Sequence, residues 1–207
     1  MHNRTRRLNL SPACCDYHGM TDRDPRSQHA ARLFDELLVT MMQSGDRRAA
    51  ERLAARWHPR LARTARRLLG NEDQALVAVQ DSWIAILRGI GSLRDPSRFA
   101  PWAFGILRRR CVGRIRSEQV RRRRQEPLET DPAGENHADE GIAIRQAFAG
   151  LPHDQRLAAQ LFFIEGLTLA EIAEVQQVPL GTAKTRLFHA RRRLKAALAD
   201  TQEGDVT

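Results

Sequence analysis

Two short helices with a sharp break between them are predicted from Thr168 to Leu194, and this stretch constrains the fold more than any other. The first helix carries an apolar face at helical spacing, made of Leu169, Ile172, Ala173 and Val175. The break ends at Pro179, which suits the first turn of a new helix because its missing N–H would have no partner there. The pattern therefore predicts two helices that pack closely across a tight turn.

The second helix of this pair, from about Leu180, shows two different faces. Its apolar face has residues at i, i+4, i+7 and i+11, namely Ala183, Leu187, Ala190 and Leu194. Another face combines a cation, a hydroxyl, an aromatic ring and an imidazole: Lys184, Thr185, Phe188, His189 and Arg192. Groups of this kind read base edges and phosphates in a major groove. The stretch is therefore predicted to be a DNA-reading helix-turn-helix.

A helical hairpin with a solvated basic face is the alternative interpretation of the same stretch. Residues 181–195 hold six basic residues and no acid, and Ala173 puts a small side chain where two such helices would cross, so both features favour DNA reading. The turn holds Gln176 and Gln177 where such turns often hold glycine, which favours the hairpin.

Composition points to helices and to a polyanionic partner. Hydrophobic residues make up 42% of the 207 residues and aromatic residues only 5%, so the predicted core is aliphatic and helical. There are 34 basic and 25 acidic residues, and a net charge of +9 indicates nucleic acid as the partner before a membrane surface. The chain length allows one or two small domains.

Several function classes find no support in the sequence. No apolar run approaches the ~20 residues of a membrane span, and no phosphate-binding loop or catalytic motif is present, so we expect neither membrane insertion nor enzymatic activity, and no cofactor. Cys14, Cys15 and Cys111 form no disulfide framework, which fits the cytoplasm. Cys14, Cys15 and His18 lack the spacing and the fourth ligand of a zinc site, so no metal is expected.

The N-terminal half is predicted to be helical after a disordered tail over residues 1–28. A helix from about Ala30 to Met42 shares one face among Leu33, Leu37, Leu38 and Met41. A long helix, about 47–69, buries Leu53, Trp57, Leu61, Ala65 and Leu68, and Pro59 is expected to kink or split it. The next, about 72–90, carries Leu76, Val79, Trp83, Ile84 and Leu87. A fourth helix is predicted from Phe99 to about Arg116, and its second half is arginine-rich.

The charge then inverts, which marks a boundary between domains. Residues 108–124 hold nine arginines and one acid, whereas residues 125–140 hold six acids and no Lys or Arg. The predicted fold is all-α, with two small helical domains over 29–124 and 141–200, and the second domain contains the helix-turn-helix. A flexible acidic linker over 125–140 joins the domains, and a polar tail follows over 201–207.

Several of these segments resemble bacterial RNA polymerase sigma factors of the sigma-70 family, most of all the extracytoplasmic-function (ECF) group. EGLTLAEIAEV and PLGTAKTRLFHARRRL are similar to the C-terminal, region 4 domain of that family. ARRLLGNEDQALVAVQDSW and WAFGILRRRCVGRIR are similar to its N-terminal, region 2 domain. The resemblance implies a protein that binds core RNA polymerase, recognises the promoter −10 and −35 elements and directs transcription initiation. It also raises an anti-sigma factor as a partner.

The resemblance also implies roles for particular residues. The −35 element would be bound by Lys184, Thr185, Arg186, Phe188, His189, Arg192 and Arg193. The −10 element would be bound by Arg98, Phe99, Trp102, Arg108, Arg109, Arg110, Arg114 and Arg116. Core polymerase would be bound by Gln80, Asp81 and Trp83.

A DNA-binding regulator that never meets polymerase is the alternative function. Val77 stands where family members usually carry an acid in the polymerase-docking helix, and Arg109 and Gly113 stand where they usually carry Asn and Asp. A dimerising heptad helix would favour a regulator, and the sequence contains none.

Overall fold

The computed structural model describes residues 25–124 and 142–203, and every regular element in these two ranges is helical. The helices are α1 (Pro25–Gln43), α2 (Arg47–Leu69), α3 (Glu72–Gly89), α4 (Phe99–Arg124), α5 (Ile142–Ala149), α6 (His153–Ala159), α7 (Leu169–Gln176) and α8 (Leu180–Glu203). Two 3₁₀ turns, Ile90–Ser92 and Pro96–Arg98, connect α3 to α4, and a π-helical turn, Gln160–Ile164, continues α6. The all-α prediction is confirmed.

The ends of the helices differ from the predicted boundaries. Helix occupies residues 25–28 and 201–203, which the sequence had assigned to tails, and α4 extends beyond the predicted 116 to Arg124. The rest of the predicted N-terminal tail with Cys14 and Cys15, the acidic linker over 125–140, and residues 204–207 lie outside the described residues.

Helix α2 is one continuous helix, although Pro59 lies inside it. Its start is capped by Asp46, whose carboxylate accepts hydrogen bonds from the N–H groups of Arg48 and Ala49, and Gly70 ends it in the left-handed conformation. The predicted stripe of Leu53, Trp57, Leu61, Ala65 and Leu68 is buried as expected. Pro59 cannot bond to the carbonyl of Ala55, four positions earlier; both residues are exposed, and the helix is not split there.

The core of the molecule is continuous across both halves of the chain. Trp57 lies at its centre, with its ring centroid 4.9 Å from that of Phe99 in an edge-to-face arrangement and 5.6 Å from that of Phe104. The same cluster includes Leu157 and Leu161 from the second half. A smaller cluster, formed by Ala147, Phe148, Leu151, Ala159, Ala190 and Leu194, packs α5 against α8. In this structure, therefore, the two predicted domains pack against each other.

Two predicted apolar faces were partly wrong. On α1, Leu33 and Leu37 are exposed and Leu38 is buried. On α3, the buried face contains Ala75, Ala78, Val79, Ser82 and Ile86, whereas Leu76, Ile84 and Leu87 are exposed. The small side chains of α3 let it approach α2 and α4 closely, so the larger apolar residues face outward. Both helices carry apolar side chains on more than one face, so the periodicity of the sequence did not identify which face is buried.

The second helix of the helix-turn-helix begins at Leu180, as predicted, and α8 continues beyond the predicted Leu194 to Glu203. Thr168 and Glu171 form a capping box at the start of α7: the Glu171 N–H donates to Thr168 Oγ1 (3.3 Å), and the Thr168 N–H donates to Glu171 Oε2 (2.7 Å). Gln177 ends α7 with a positive φ of 54°, and its N–H bonds to the carbonyls of Ala173 and Glu174. Gln177 therefore adopts the conformation for which glycine is usually selected.

We expect Gln177→Gly to raise the free energy of unfolding by about 0.5–1 kcal/mol. A left-handed conformation costs a non-glycine residue about 1–2 kcal/mol, and part of this gain is lost because glycine is more flexible in the unfolded chain. Urea denaturation would measure the change. Gln177→Ala is the matched control, since alanine also has a Cβ atom and should give no gain. A loss of stability in the glycine variant would contradict the strain argument.

Candidate nucleic-acid interface

Helix α8 separates a buried stripe from an exposed reading face. The stripe is the predicted one, because Ala183, Leu187, Ala190 and Leu194 are all buried. On the opposite face, His189 is half-buried. The other predicted residues of this face are exposed: Lys184, Thr185, Phe188, Arg192 and Arg193. Phe188 is 54% exposed, with its ring centroid 5.5 Å from that of His189. The structure thus brings these six predicted residues together on one accessible surface, which we call the α8 reading face.

Arg186 differs from the other predicted residues of α8 because its guanidinium is turned toward the protein. Its Nη2 lies 2.6 Å from Asp154 Oδ2, and its Nη1 donates to Gln176 Oε1 at 3.0 Å. Gln176 in turn donates to the Asp154 carbonyl at 2.7 Å. In this conformation Arg186 fixes α8 to α6 and α7, and it is not part of the α8 reading face.

The predicted −10 residues at the start of α4 are engaged inside the protein. Arg98 forms an ion pair with Glu174 of α7. Phe99 is buried against Trp57, so it has a packing role in this conformation. Trp102 is half-buried, and it packs so close to Gly89 that a Cβ atom there would lie 3.1 Å from its ring. A larger residue at position 89 would therefore require the Trp102 ring to shift by a few tenths of an ångström.

Further along α4, the predicted arginines fall into two groups. Arg109, Arg110 and Arg116 are exposed. Arg108 is half-buried, and burial lowers the pKa of its guanidinium. Arg114 bonds to Asp81 Oδ2 at 3.0 Å and to Gln74 Oε1 at 2.9 Å on α3. Arg114, which was predicted to bind DNA, is therefore paired with Asp81, which was predicted to bind polymerase.

An exposed apolar surface on α3 surrounds the other two predicted polymerase residues. Gln80 is exposed, and Trp83 is half-buried in a shallow apolar cavity lined also by Ala54, Ala55, His58, Pro59 and Leu87. Leu76, Val77, Ile84 and Leu87 are exposed on this helix, and we call them the α3 apolar face. The sequence did not indicate this surface, because Leu76, Ile84 and Leu87 were grouped with Val79 as the apolar residues of the helix.

Ion pairs between the two halves of the chain were also missed. The Glu165 carboxylate accepts from Arg60 Nε (2.8 Å) and from Arg63 Nη2 (3.1 Å). Arg67, on the same side of α2, bonds to Gln160, and burial together with repulsion from Arg63 lowers its pKa to about 10, so it stays charged at neutral pH. Glu165 and Arg60 are 105 positions apart, and no local pattern indicates such a pair.

Other kinds of site are not found in the part of the chain that the structure describes. No group of three or more His, Cys, Asp or Glu side chains there is arranged to hold a metal ion. None of the described helices combines the length and apolar character needed to cross a bilayer. Cys111 is buried, and burial raises the pKa of its thiol to about 12, so the reactive thiolate is suppressed.

Comparison with known proteins identifies the family. The model of Sigma-70 region 2 matches residues 53–121, and the model of Sigma-70 region 4 matches residues 142–194. The chain is 31% identical over 173 residues to the ECF RNA polymerase sigma factor SigM of Mycobacterium tuberculosis, covering 82% of this chain and 87% of the relative. It is 29% identical over 185 residues to the ECF sigma-E factor of Haemophilus influenzae, covering 80% and 96%.

Solved structures show the same fold. The sigma factor RpoE of Bartonella quintana, in complex with the anti-sigma factor NepR, matches with a TM-score of 0.61 and 25% identity over 72% of this chain and 96% of that one. CnrH, in complex with the cytosolic domain of CnrY, matches with a TM-score of 0.59 over 81% and 98% of the two chains, and at 24% identity it supports the fold alone. The region 2 match favours a sigma factor over a regulator that never meets polymerase. The chain belongs to the sigma-70 family of RNA polymerase sigma factors, in the extracytoplasmic-function group.

Proposed function

We propose that this sigma factor, which binds core RNA polymerase and directs promoter-specific transcription initiation, reads the −35 element with the α8 reading face. The observation that carries the proposal is the exposure of this face while the opposite side of α8 is anchored in the core. A helix held in this way presents its side chains to a major groove without losing its support. We propose that the protein acts in the cytoplasm and that it has no enzymatic activity of its own.

Within the α8 reading face, the proposal separates base contacts from phosphate contacts. Lys184, Phe188 and His189 lie in the first half of α8 and would meet base edges, with Thr185 beside them. Arg192 and Arg193 lie one to two turns later and would hold phosphates. Arg186 acts through Asp154 and Gln176, so we assign it a positioning role.

The −10 element would be bound along the exposed side of α4. Arg109, Arg110 and Arg116 are accessible cations that suit the DNA backbone, and half-buried Trp102 offers an aromatic ring on which an unpaired base could stack. Arg98 would join this surface after leaving Glu174.

Core polymerase would dock on α3, with the α3 apolar face and Trp83 at the centre and Gln80 and Asp81 as polar contacts. A cluster of large exposed apolar side chains with an aromatic ring beside it has the composition of an interface core. An anti-sigma factor is a further proposed partner, because the related RpoE was solved with one.

The proposed contacts predict two kinds of loss on alanine substitution. Lys184→Ala and His189→Ala should each weaken binding by about 1–3 kcal/mol and relax the preference at one promoter position. Arg193→Ala should weaken binding to all sequences alike and reduce the salt dependence by about one unit of slope, because a phosphate contact releases counterions. The measurement is binding of assembled holoenzyme to a promoter and its single-base variants at several salt concentrations.

Lys195→Ala is the matched control, since this exposed lysine lies on α8 outside the proposed contact set. It should leave base preference unchanged. A uniform loss of affinity in Lys184→Ala and His189→Ala, with no change in preference, would show that a different face of α8 reads the DNA.

A further inference from the structure

One buried carboxylate joins the two halves of the chain. The Glu165 side chain is only 1% exposed, and it lies between Arg60 and Arg63 of α2 with N–O distances of 2.8 and 3.1 Å. The Glu165 carbonyl also accepts from Arg60 Nη2 at 3.2 Å. The Arg60 guanidinium lies 4.0 Å over the Trp57 ring, so the ion pair is fixed directly on the core.

A row of α2 side chains extends the contact along one side of the helix. Gln160 is fully buried; its side chain donates to Glu165 Oε1 (3.2 Å) and to Thr64 Oγ1 (3.4 Å) and accepts from Arg67. Thr64 is buried as well. Arg60, Arg63, Thr64 and Arg67 are spaced at i, i+3, i+4 and i+7, so they form one stripe. We call this packing of α2 against the segment 160–165 the closed arrangement.

The closed arrangement also places the two proposed DNA surfaces together. Arg98, beside the −10 surface, is paired with Glu174 of the helix-turn-helix, and α4 packs directly against α7. On a straight duplex, elements centred near −35 and −10 lie about 25 base pairs apart, which is about 85 Å at ~3.4 Å per pair. A compact chain of this length has a radius of gyration of about 17 Å. The closed arrangement is thus too small to contact both elements at once.

We propose that Glu165 is the latch of an autoinhibited state, which the chain must leave before it can bind the −10 and −35 elements together. This inference rests on the proposed function for the two DNA surfaces. Opening separates Glu165 from Arg60 and Arg63 and frees Arg98 for DNA. The latch is the buried Glu165 carboxylate, because it neutralises two arginines at the contact between the halves. Its removal takes the carboxylate away from Arg63 and leaves Arg60 with the more distant Asp35, whose Oδ2 lies 3.9 Å from Arg60 Nη1.

The exposed ion pair at the rim offers a matched control. Glu174 also joins the two halves, through Arg98, but its side chain is 43% exposed, and exposed pairs contribute little. Glu165→Ala and Glu174→Ala therefore each remove one carboxylate from the same contact between halves. The latch predicts a large effect on opening from the first substitution and a small effect from the second.

The experiment measures the distance between the halves by fluorescence energy transfer in the full-length free chain. Dyes are attached at Glu51→Cys on α2 and Lys195→Cys on α8, both exposed positions, in a chain carrying Cys14→Ser and Cys15→Ser. Buried Cys111 stays unlabelled. Wild type should show one high-transfer population, and Glu165→Ala should raise the ratio of open to closed molecules at least tenfold, whereas Glu174→Ala should change it less than threefold.

A second arm measures binding of the free chain to a promoter fragment that carries both elements. Glu165→Ala should bind it at least tenfold more tightly than wild type, because less of the chain is closed. Unchanged energy transfer in folded Glu165→Ala, or opening without tighter DNA binding, would overturn the proposal. If Glu165→Ala loses its helical circular dichroism, Arg63→Ala is used instead. Arg63 is half-exposed, and its substitution removes one of the two arginine contacts of Glu165 and keeps the other.

The two arms separate this inference from the proposed function. The energy-transfer arm uses no DNA and no polymerase, so a closed wild type that opens in Glu165→Ala supports the latch even where a proposed promoter contact is wrong. If substitutions on the α8 reading face do not change promoter binding by the holoenzyme, only the proposed function is contradicted. A wild-type chain that is already open in solution would overturn the latch alone.

Discussion

Trp57→Ala is expected to lower the free energy of unfolding by about 3–5 kcal/mol. Trp57 is 1% exposed at the centre of the continuous core, where it contacts the rings of Phe99 and Phe104 and supports the guanidinium of Arg60. Its removal leaves a cavity that the surrounding helices fill only partly. Because natural domains are stable by about 5–15 kcal/mol, this single change would remove a large fraction of the total.

Urea denaturation followed by circular dichroism would measure this loss. Trp57→Phe should cost less, since it keeps an aromatic ring and removes an indole N–H that has no hydrogen-bond partner among the described residues. Leu33→Ala is the surface control and should change stability by less than about 0.5 kcal/mol, because Leu33 is exposed on α1. A loss below 1 kcal/mol in Trp57→Ala would contradict the central position of Trp57 in the core.

Ile84→Asp is expected to weaken binding to core polymerase at least thirtyfold, or by about 2 kcal/mol. Ile84 is 48% exposed on the α3 apolar face, so aspartate is tolerated in the free chain. In the proposed complex the same position is buried against polymerase, where an unpaired carboxylate is strongly disfavoured. Retention of polymerase subunits by the tagged sigma factor, titrated over a range of concentrations, would measure the change.

Ile144→Asp is the matched control for charge and exposure. Ile144 is 41% exposed on α5, in the other half of the chain, and lies outside the proposed docking surface. It should retain polymerase like the wild type. Equal retention by Ile84→Asp and Ile144→Asp, with unchanged thermal unfolding of both, would remove the α3 apolar face from the docking surface.

Local periodicity was sufficient to predict the helix-turn-helix. The buried stripe of α8 repeats every three to four residues, Pro179 marks where the helix begins, and the cations lie on the remaining face. The turn was the ambiguous part, because Gln177 adopts a left-handed conformation that its residue type does not indicate. Residue spacing therefore predicted the helices better than residue type predicted the turn.

Contacts between distant parts of the chain could not be predicted in this way. Glu165 follows an apolar stretch and precedes Gly166, so its sequence neighbours suggest an ordinary exposed carboxylate, yet it is buried between arginines about 100 positions earlier. The exposed Leu76 and Leu87 were misassigned for a related reason. Whether an apolar residue is buried depends on which neighbouring helix covers it, and the period of one helix does not contain that information.

The π-helical turn bears on how insertions and deletions in relatives of this chain should be interpreted. The Glu165 N–H bonds to the Gln160 carbonyl at 3.1 Å, five positions back, so the two side chains are stacked one turn apart and both meet α2. In a regular α-helix residues five apart are separated by about 140° around the axis, at ~100° per residue. Loss of one residue from Gln160–Ile164 would leave the two side chains four positions apart, and a regular α-helix places residues four apart on the same face. A relative that lacks this extra residue would still direct both side chains toward α2, so a one-residue alignment gap at this turn is compatible with arginines at the positions of Arg60, Arg63 and Arg67.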